Sequence, residues 1–154
     1  MRLLWSIAVA LILAACTSVP LAPREADAAA KRFEPPRPGL GALYIVREGY
    51  MISDEIAVLV DQRRVGTLAY DTYLRFDLPP GQHDVRAENI ESRQLLAVTN
   101  VQLAAGEMRF VTIANAVFDS PLATAVTEMS ARELPINAGR TAVLSRKLAA
   151  GSSR

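Results

Sequence analysis

Thr72-Tyr73-Leu74-Arg75-Phe76-Asp77-Leu78-Pro79-Pro80-Gly81-Gln82-His83-Asp84-Val85-Arg86-Ala87-Glu88 is the stretch that decides the fold class. Its first part alternates: Leu74, Phe76 and Leu78 point one way, Tyr73, Arg75 and Asp77 the other. A period of two belongs to a strand buried on one face. Pro79-Pro80-Gly81 has the residues of a type II turn. Pro80 fixes φ at the first central position and Gly81 supplies a positive φ at the second. Alternation then resumes, with His83, Val85 and Ala87 on one face and Gln82, Asp84, Arg86 and Glu88 on the other. Residues 72–88 are therefore expected to form a hairpin, with cross-strand ion pairs joining Asp77 and Asp84 to Arg75 and Arg86.

The pattern extends in both directions. Residues 42–47 are apolar on both faces through Leu43, Tyr44, Ile45 and Val46, as in a central or doubly covered strand. Residues 55–61 alternate Ile56, Val58 and Val60 against Ala57 and Leu59. Gln62 and Arg63 are expected to turn the chain into residues 64–69, where Gly66 marks a bulge or a close approach. Residues 95–103 form a further strand, residues 104–107 a turn, and residues 108–114 a strand that pairs back. Here Met108, Phe110 and Thr112 face one way, and Val111 and Ile113 the other. Residues 122–129 suit an eighth strand. Residues 140–150 suit a short helix, with Val143, Leu144 and Leu148 at helical spacing. Seven to eight short strands joined by short turns predict a mainly β fold, a small antiparallel β-sandwich, over residues 40–150.

Before the domain lies a different composition. Residues 16–39 carry Pro20, Pro23, Pro35, Pro36 and Pro38 with few large apolar residues, which reads as a tether. Within it, residues 24–33 suit a short helix. Glu25 and Asp27 lie at its start and Lys31 and Arg32 at its end, in the order the helix dipole favours. Fully extended, such a tether spans about 70–80 Å.

Residues 1–15 read as a signal peptide: Met1-Arg2, an apolar run from Leu3 to Leu13, then small residues. The run is shorter than the ~20 residues of a spanning helix. Leu13-Ala14-Ala15-Cys16 has the form of a lipobox, cut between Ala15 and Cys16, with acylation (palmitate and diacylglyceryl) of the new N-terminal cysteine. A simple secretory signal with an incidental Cys16 is the alternative. Three acyl chains at about 0.8 kcal/mol per buried CH₂ make a stable anchor. Thr17, rather than Asp, after the cysteine resembles the sorting signal of an outer-membrane, periplasm-facing lipoprotein.

The chain has 17 basic and 16 acidic residues, and loss of Arg2 leaves the rest balanced. Nucleic-acid binding needs a clustered basic excess and is not expected. Cys16 is the one cysteine, so no disulfide framework is expected. His83 is the one histidine, and no metal or other cofactor is expected from so sparse a ligand set. No catalytic residue is assigned. Asp54, Glu55, Asp61, Asp71, Asp77 and Asp84 leave open a carboxylate-based hydrolase of cell-wall or glycan material. Asp61 and Asp71 also suit turns. Among Tyr50, Tyr70 and Tyr73, the last shares its strand face with Arg75. An aromatic and an arginine on an open sheet are a candidate binding face.

Val58-Leu59-Val60-Asp61-Gln62-Arg63-Arg64-Val65-Gly66-Thr67-Leu68, then Leu78-Pro79-Pro80-Gly81-Gln82-His83, then Gly106-Glu107, resemble the bacterial domain-of-unknown-function 2846 proteins and, more distantly, PEGA domains. The resemblance covers about residues 41–114. It departs at Gln62, where the family often has glycine, and lacks the tetrapeptide that names PEGA domains. It implies an envelope lipoprotein with a β-sandwich and no assigned reaction. The expected protein is thus a non-catalytic, lipid-anchored binding or scaffolding module, held to a membrane and meeting an envelope protein or peptidoglycan.

Overall fold

The computed structural model describes residues 19–49, 55–117 and 127–151. Ala15 and Cys16, the expected cleavage and lipidation positions, lie outside these residues, as do Tyr50 and Asp54.

The fold is mainly β. Helix α1 (Arg24–Lys31) precedes strands β1 (Gly41–Glu48), β2 (Ile56–Val60), β3 (Arg63–Leu68), β4 (Thr72–Leu78), β5 (Gly81–Asn89), β6 (Leu95–Leu103), β7 (Met108–Val117) and β8 (Thr127–Leu134). Helix α2 (Ile136–Leu144) and a short β9 (Lys147–Leu148) follow. One sheet has the order β8-β7-β1-β4-β9 and the other β3-β2-β5-β6.

Between the sheets lies the larger core, built from Leu43, Ile45, Val58, Leu74, Val85 and Val111 and their neighbours. Val58, Leu74 and Val85 belong to the faces that alternation sets apart, whereas in β1 and β7 it left both faces open. Burying each such side chain contributes about 1.5–3 kcal/mol. Gly66 answers to both of its expected roles. The β2–β3 register shifts beside it, and a Cβ there would sit 3.0 Å from the Leu74 methyls.

Four features differ from the reading of the sequence. Residues 72–88 are not a hairpin, because β4 pairs with β1 and β9 while β5 pairs with β2 and β6. Pro79-Pro80 carries the chain from one sheet to the other. Consequently Asp77 and Asp84 do not pair across strands. Arg75 Nη2 meets Asp77 at 3.0 Å and Arg86 Nε meets Asp84 at 2.5 Å, each two residues away on its own strand. Residues on one strand two apart share a face, so ion pairs form there once the facing strand has gone to the other sheet.

Strand β7 likewise does not pair back on β6. It runs parallel to β1 and antiparallel to β8, and β4 and β9 are also parallel. The C-terminal helix lies earlier than residues 140–150. It starts after Pro135, whose fixed φ suits the position preceding a first turn, and ends before Ser145. Residues 147–148 join β4 as a strand instead.

The fourth difference concerns the tether. Helix α1 forms where expected, yet it packs on the five-stranded sheet with α2. Ala30, Ala142 and Val143 cover Tyr44, Val46, Tyr73 and Phe110, with Phe33 at the edge. This second core explains why β1 is apolar on both faces. Phe33 lies 5.7 Å from Tyr44 and 6.1 Å from Phe110, ring centre to ring centre. A helix of eight residues is marginal in water and becomes stable when it buries an apolar face. Val19 is buried in the larger core, and Leu21 bridges Ala149 in antiparallel sense. From residue 19 onward the expected tether is therefore part of the domain.

Candidate functional site

Of the expected open face, Tyr73 is covered and Arg75 is partly buried. Tyr73 has 0% exposure, and its hydroxyl donates to Asp27 Oδ1 of α1 at 2.9 Å. Burial, and then the Asp27 acceptor, push its pKa well above the usual phenol range. Arg75 turns to the sheet, where its Nε donates to the Tyr44 hydroxyl at 3.2 Å. Tyr73 is thus a core residue and not an accessible contact. Its amphipathic side chain suits either place, which is why alternation alone put it outside.

Arg75 nonetheless reaches another surface. Beyond Tyr73 the strand β4 has no partner from β9, and beyond Arg63 the strand β3 is the edge of its sheet. Between these two edges the sandwich opens into a groove of about 1370 Å³. Val65, Phe76 and Leu78 form its apolar floor, and all three pack against the larger core. Arg37 and Arg75 stand on the β4 lip, Arg63 and Arg64 on the β3 lip.

The acidic groups in this groove are already engaged. Asp77 is held by Arg37 Nε at 3.2 Å and by Arg75. Asp61 Oδ2 accepts from His83 Nδ1 at 2.7 Å, and its Oδ1 accepts the Asp84 amide at 3.0 Å. Arg37, Arg63, Arg64 and Arg75 outnumber the lining carboxylates, Asp61 and Asp77. Arg63 makes no ion pair among the described residues, and Arg64 Nη2 donates to Thr67 at 2.9 Å.

His83 is 7% exposed, as its inward position requires. Its Nε2 faces the Pro79 carbonyl at 2.8 Å. Both neighbours of the ring are acceptors, an arrangement that favours the doubly protonated, positively charged ring. Burial opposes that charge, but the bonds to Asp61 and Pro79 outweigh it and hold the pKa above the ordinary imidazole value. Burial also opposes the Asp61 charge, and the His83 and Asp84 donors outweigh it in turn, lowering its pKa. His83 therefore ties the β2–β3 turn to the Pro79-Pro80 crossover. In that turn Asp61 and Gln62 have φ of 50° and 64°, so both central residues adopt positive φ without a glycine.

The remaining carboxylates disperse. Asp71 occupies a turn with φ of 61°, and Asp84 is tied to Arg86. Among the described residues no group of three or more potential metal ligands forms. No helix among them is long and apolar enough to cross a membrane. Sequence reading missed Asp27, which accepts from Tyr73 and from the Leu148 amide while pairing with Lys31 at 2.8 Å. The clue was its place three residues before Ala30, on the same face of a helix whose apolar side needs a partner. The groove was also missed, because its arginines come from three separate segments.

Comparison with known proteins finds one informative relative. An uncharacterized protein of Haemophilus influenzae is 30% identical over 106 residues, which is 68% of this chain and 61% of that protein. This chain thus spans under two thirds of that relative's length. No family model matches, and no solved structure matches.

Proposed function

We propose that this protein is a lipid-anchored lipoprotein of the cell envelope, attached through Cys16 to the outer membrane and facing the periplasm, and that it is a non-catalytic binding or scaffolding module. The resemblance to the domain-of-unknown-function 2846 proteins belongs to the same proposal. The observation that carries the binding reading is the groove between β3 and β4. It has an apolar floor, an arginine excess and no carboxylate left without a cationic or backbone donor. Such a surface recognises anionic groups by charge-assisted hydrogen bonds. A carboxylate-based hydrolase would need a pair of acids with one pKa raised. Asp61 is shifted the other way and Asp77 sits between two arginines, which supports binding over hydrolysis.

Anchoring gives the mechanism its reach. Confinement to a membrane raises the module's effective concentration near envelope partners, whether protein or peptidoglycan. Two measurements test this reading. Cells fed radiolabelled palmitate are expected to label the wild type and not Cys16→Ala; absence of label in the wild type overturns the anchor. Envelope fractions are then crosslinked and the protein recovered. Partners lost in both Cys16→Ala and Arg63→Gln/Arg64→Gln support tethered binding through the groove. Partners indifferent to the arginines overturn the groove as the surface for a protein or peptidoglycan partner.

A further inference from the structure

We infer that the occupant of the arginine groove is the membrane itself: the phosphate of an anionic phospholipid headgroup, bound at the leaflet that holds the anchor. The inference rests on the lipid-anchor reading and specifies what its binding surface takes.

Chain geometry carries the first half. The Pro20 carbonyl accepts the Ala150 amide at 2.8 Å, and the Ala22 amide donates to Leu148 at 2.9 Å. The two segments are antiparallel, so going back from Ala22 toward Val19 follows the path from Leu148 toward Gly151. Gly151 lines the groove, where a Cβ would lie 3.3 Å from the Phe76 ring and 3.6 Å from the Val65 carbonyl. The described chain thus begins, at buried Val19, beside the groove. Cys16 is three residues earlier, and three residues reach at most about 10–11 Å. A lipid on Cys16 therefore cannot hold the groove far from the bilayer.

Charge complementarity carries the second half. Arg37, Arg63, Arg64 and Arg75 line the groove together with the apolar Val65, Phe76 and Leu78, and His83 lines it too. Arginine pairs its planar fork with phosphate oxygens, and the floor of Val65, Phe76 and Leu78 suits the glycerol and first methylenes of a lipid. Basic residues at a membrane surface are drawn to anionic headgroups. The module would lie against the leaflet instead of standing off on a tether.

The test uses the full chain purified in non-ionic detergent. It is titrated calorimetrically with dihexanoyl phosphatidylglycerol, dihexanoyl phosphatidylcholine and inorganic phosphate. Saturable binding of the phosphatidylglycerol alone is expected. Arg63→Glu/Arg64→Glu should weaken it at least about twentyfold, from about fivefold per arginine at a membrane surface. Arg37→Gln/Arg63→Gln is a milder second pair, and thermal melts check that both fold. Equal binding of phosphatidylcholine, binding unaffected by either pair, or inorganic phosphate binding as well as the lipid overturns the proposal. So does binding that requires deletion of residues 152–154, which would make the C-terminus the occupant. Palmitate labelling separates the two readings. Label without phosphatidylglycerol binding overturns the groove proposal alone, and binding without label supports the groove while overturning the anchor.

Discussion

Asp27 Oδ1 accepts the Tyr73 hydroxyl at 2.9 Å, joining the N-terminal helix to the start of β4. The same oxygen takes the Leu148 amide at 3.0 Å. One carboxylate therefore holds three segments far apart in the chain: the start of the domain, its fourth strand and its last strand. Burial opposes its charge, but Lys31, Tyr73 and Leu148 together hold its pKa below the ordinary value of 3.8.

Replacing that carboxylate should loosen α1. Asp27→Ala leaves a buried hydroxyl and a backbone amide without an acceptor, at about 1–3 kcal/mol for such groups. Tyr73→Phe removes a single hydrogen bond and should cost about 1 kcal/mol. Urea unfolding checks both, and amide exchange in residues 24–31 should rise in Asp27→Ala before the rest of the domain responds. Because the folded pKa of Asp27 is depressed, its contribution is present above 3.8 and is lost as pH falls through the lower folded value. Acid should therefore steepen the loss of stability in the wild type more than in Asp27→Ala.

What the sequence could tell follows from the range of each interaction. Alternation in residues 42–47, 72–78, 82–88 and 95–103 placed strands and their inward faces, since a strand's period is local. Pairing partners are not local. Pro79-Pro80-Gly81 supplies a turn whether the following strand returns to its own sheet or crosses to the other. The doubly apolar β1 suited a central or a doubly covered strand, and only its pairing with β4 shows that Tyr73 shares the face that the helices cover. The groove was the least legible, because Arg37, Arg63 and Arg75 approach one another only when the two sheets pack together.

The His83 bridge should make stability depend on pH in the opposite sense to Asp27. His83 has its pKa raised in the folded protein, so its contribution is full below the unfolded value near 6.5 and fades as pH rises through the folded value. Its partner Asp61 loses its own contribution only in acid, below 3.8. The latch is therefore strongest between those two limits. Urea midpoints measured from pH 5 to pH 9 should fall with rising pH in the wild type. His83→Gln should lie about 1–3 kcal/mol lower at pH 5 and lack the slope. Equal slopes in the two proteins would refute an ionised bridge.

Gly139 tests the packing of α2 on the five-stranded sheet. A Cβ there would fall within the Phe110 side chain, which is fully buried between Phe33 and Tyr44. Alanine favours a helix by about 1 kcal/mol over glycine. Overpacking of a core costs about 1–3 kcal/mol. The clash should win, so Gly139→Ala is expected to destabilise the domain despite its better helix propensity. Adding Phe110→Leu should recover part of the loss, and a thermal-melt double-mutant cycle would show that coupling. Purely additive losses would place the cost elsewhere than at this contact.

The crossover at Pro79-Pro80-Gly81 can be told from a hairpin turn by one substitution. Gly81 has φ of 145°, and nothing lies within 4 Å of a Cβ built on it. Any cost of a side chain there is backbone strain alone. In a type II turn the third residue has φ near +80°, a value asparagine tolerates almost as well as glycine. Gly106, at φ of 79° and also in open space, is such a position. At φ of 145° asparagine has no such exemption, and strain of about 1–3 kcal/mol is expected for any L-residue. Gly81→Asn and Gly81→Ala should therefore lose stability equally, whereas Gly106→Asn should lose a good deal less than Gly106→Ala. If Gly81→Asn were as mild as Gly106→Asn in urea unfolding, the chain would be turning at this point as a hairpin does, and β4 and β5 would have to share a sheet.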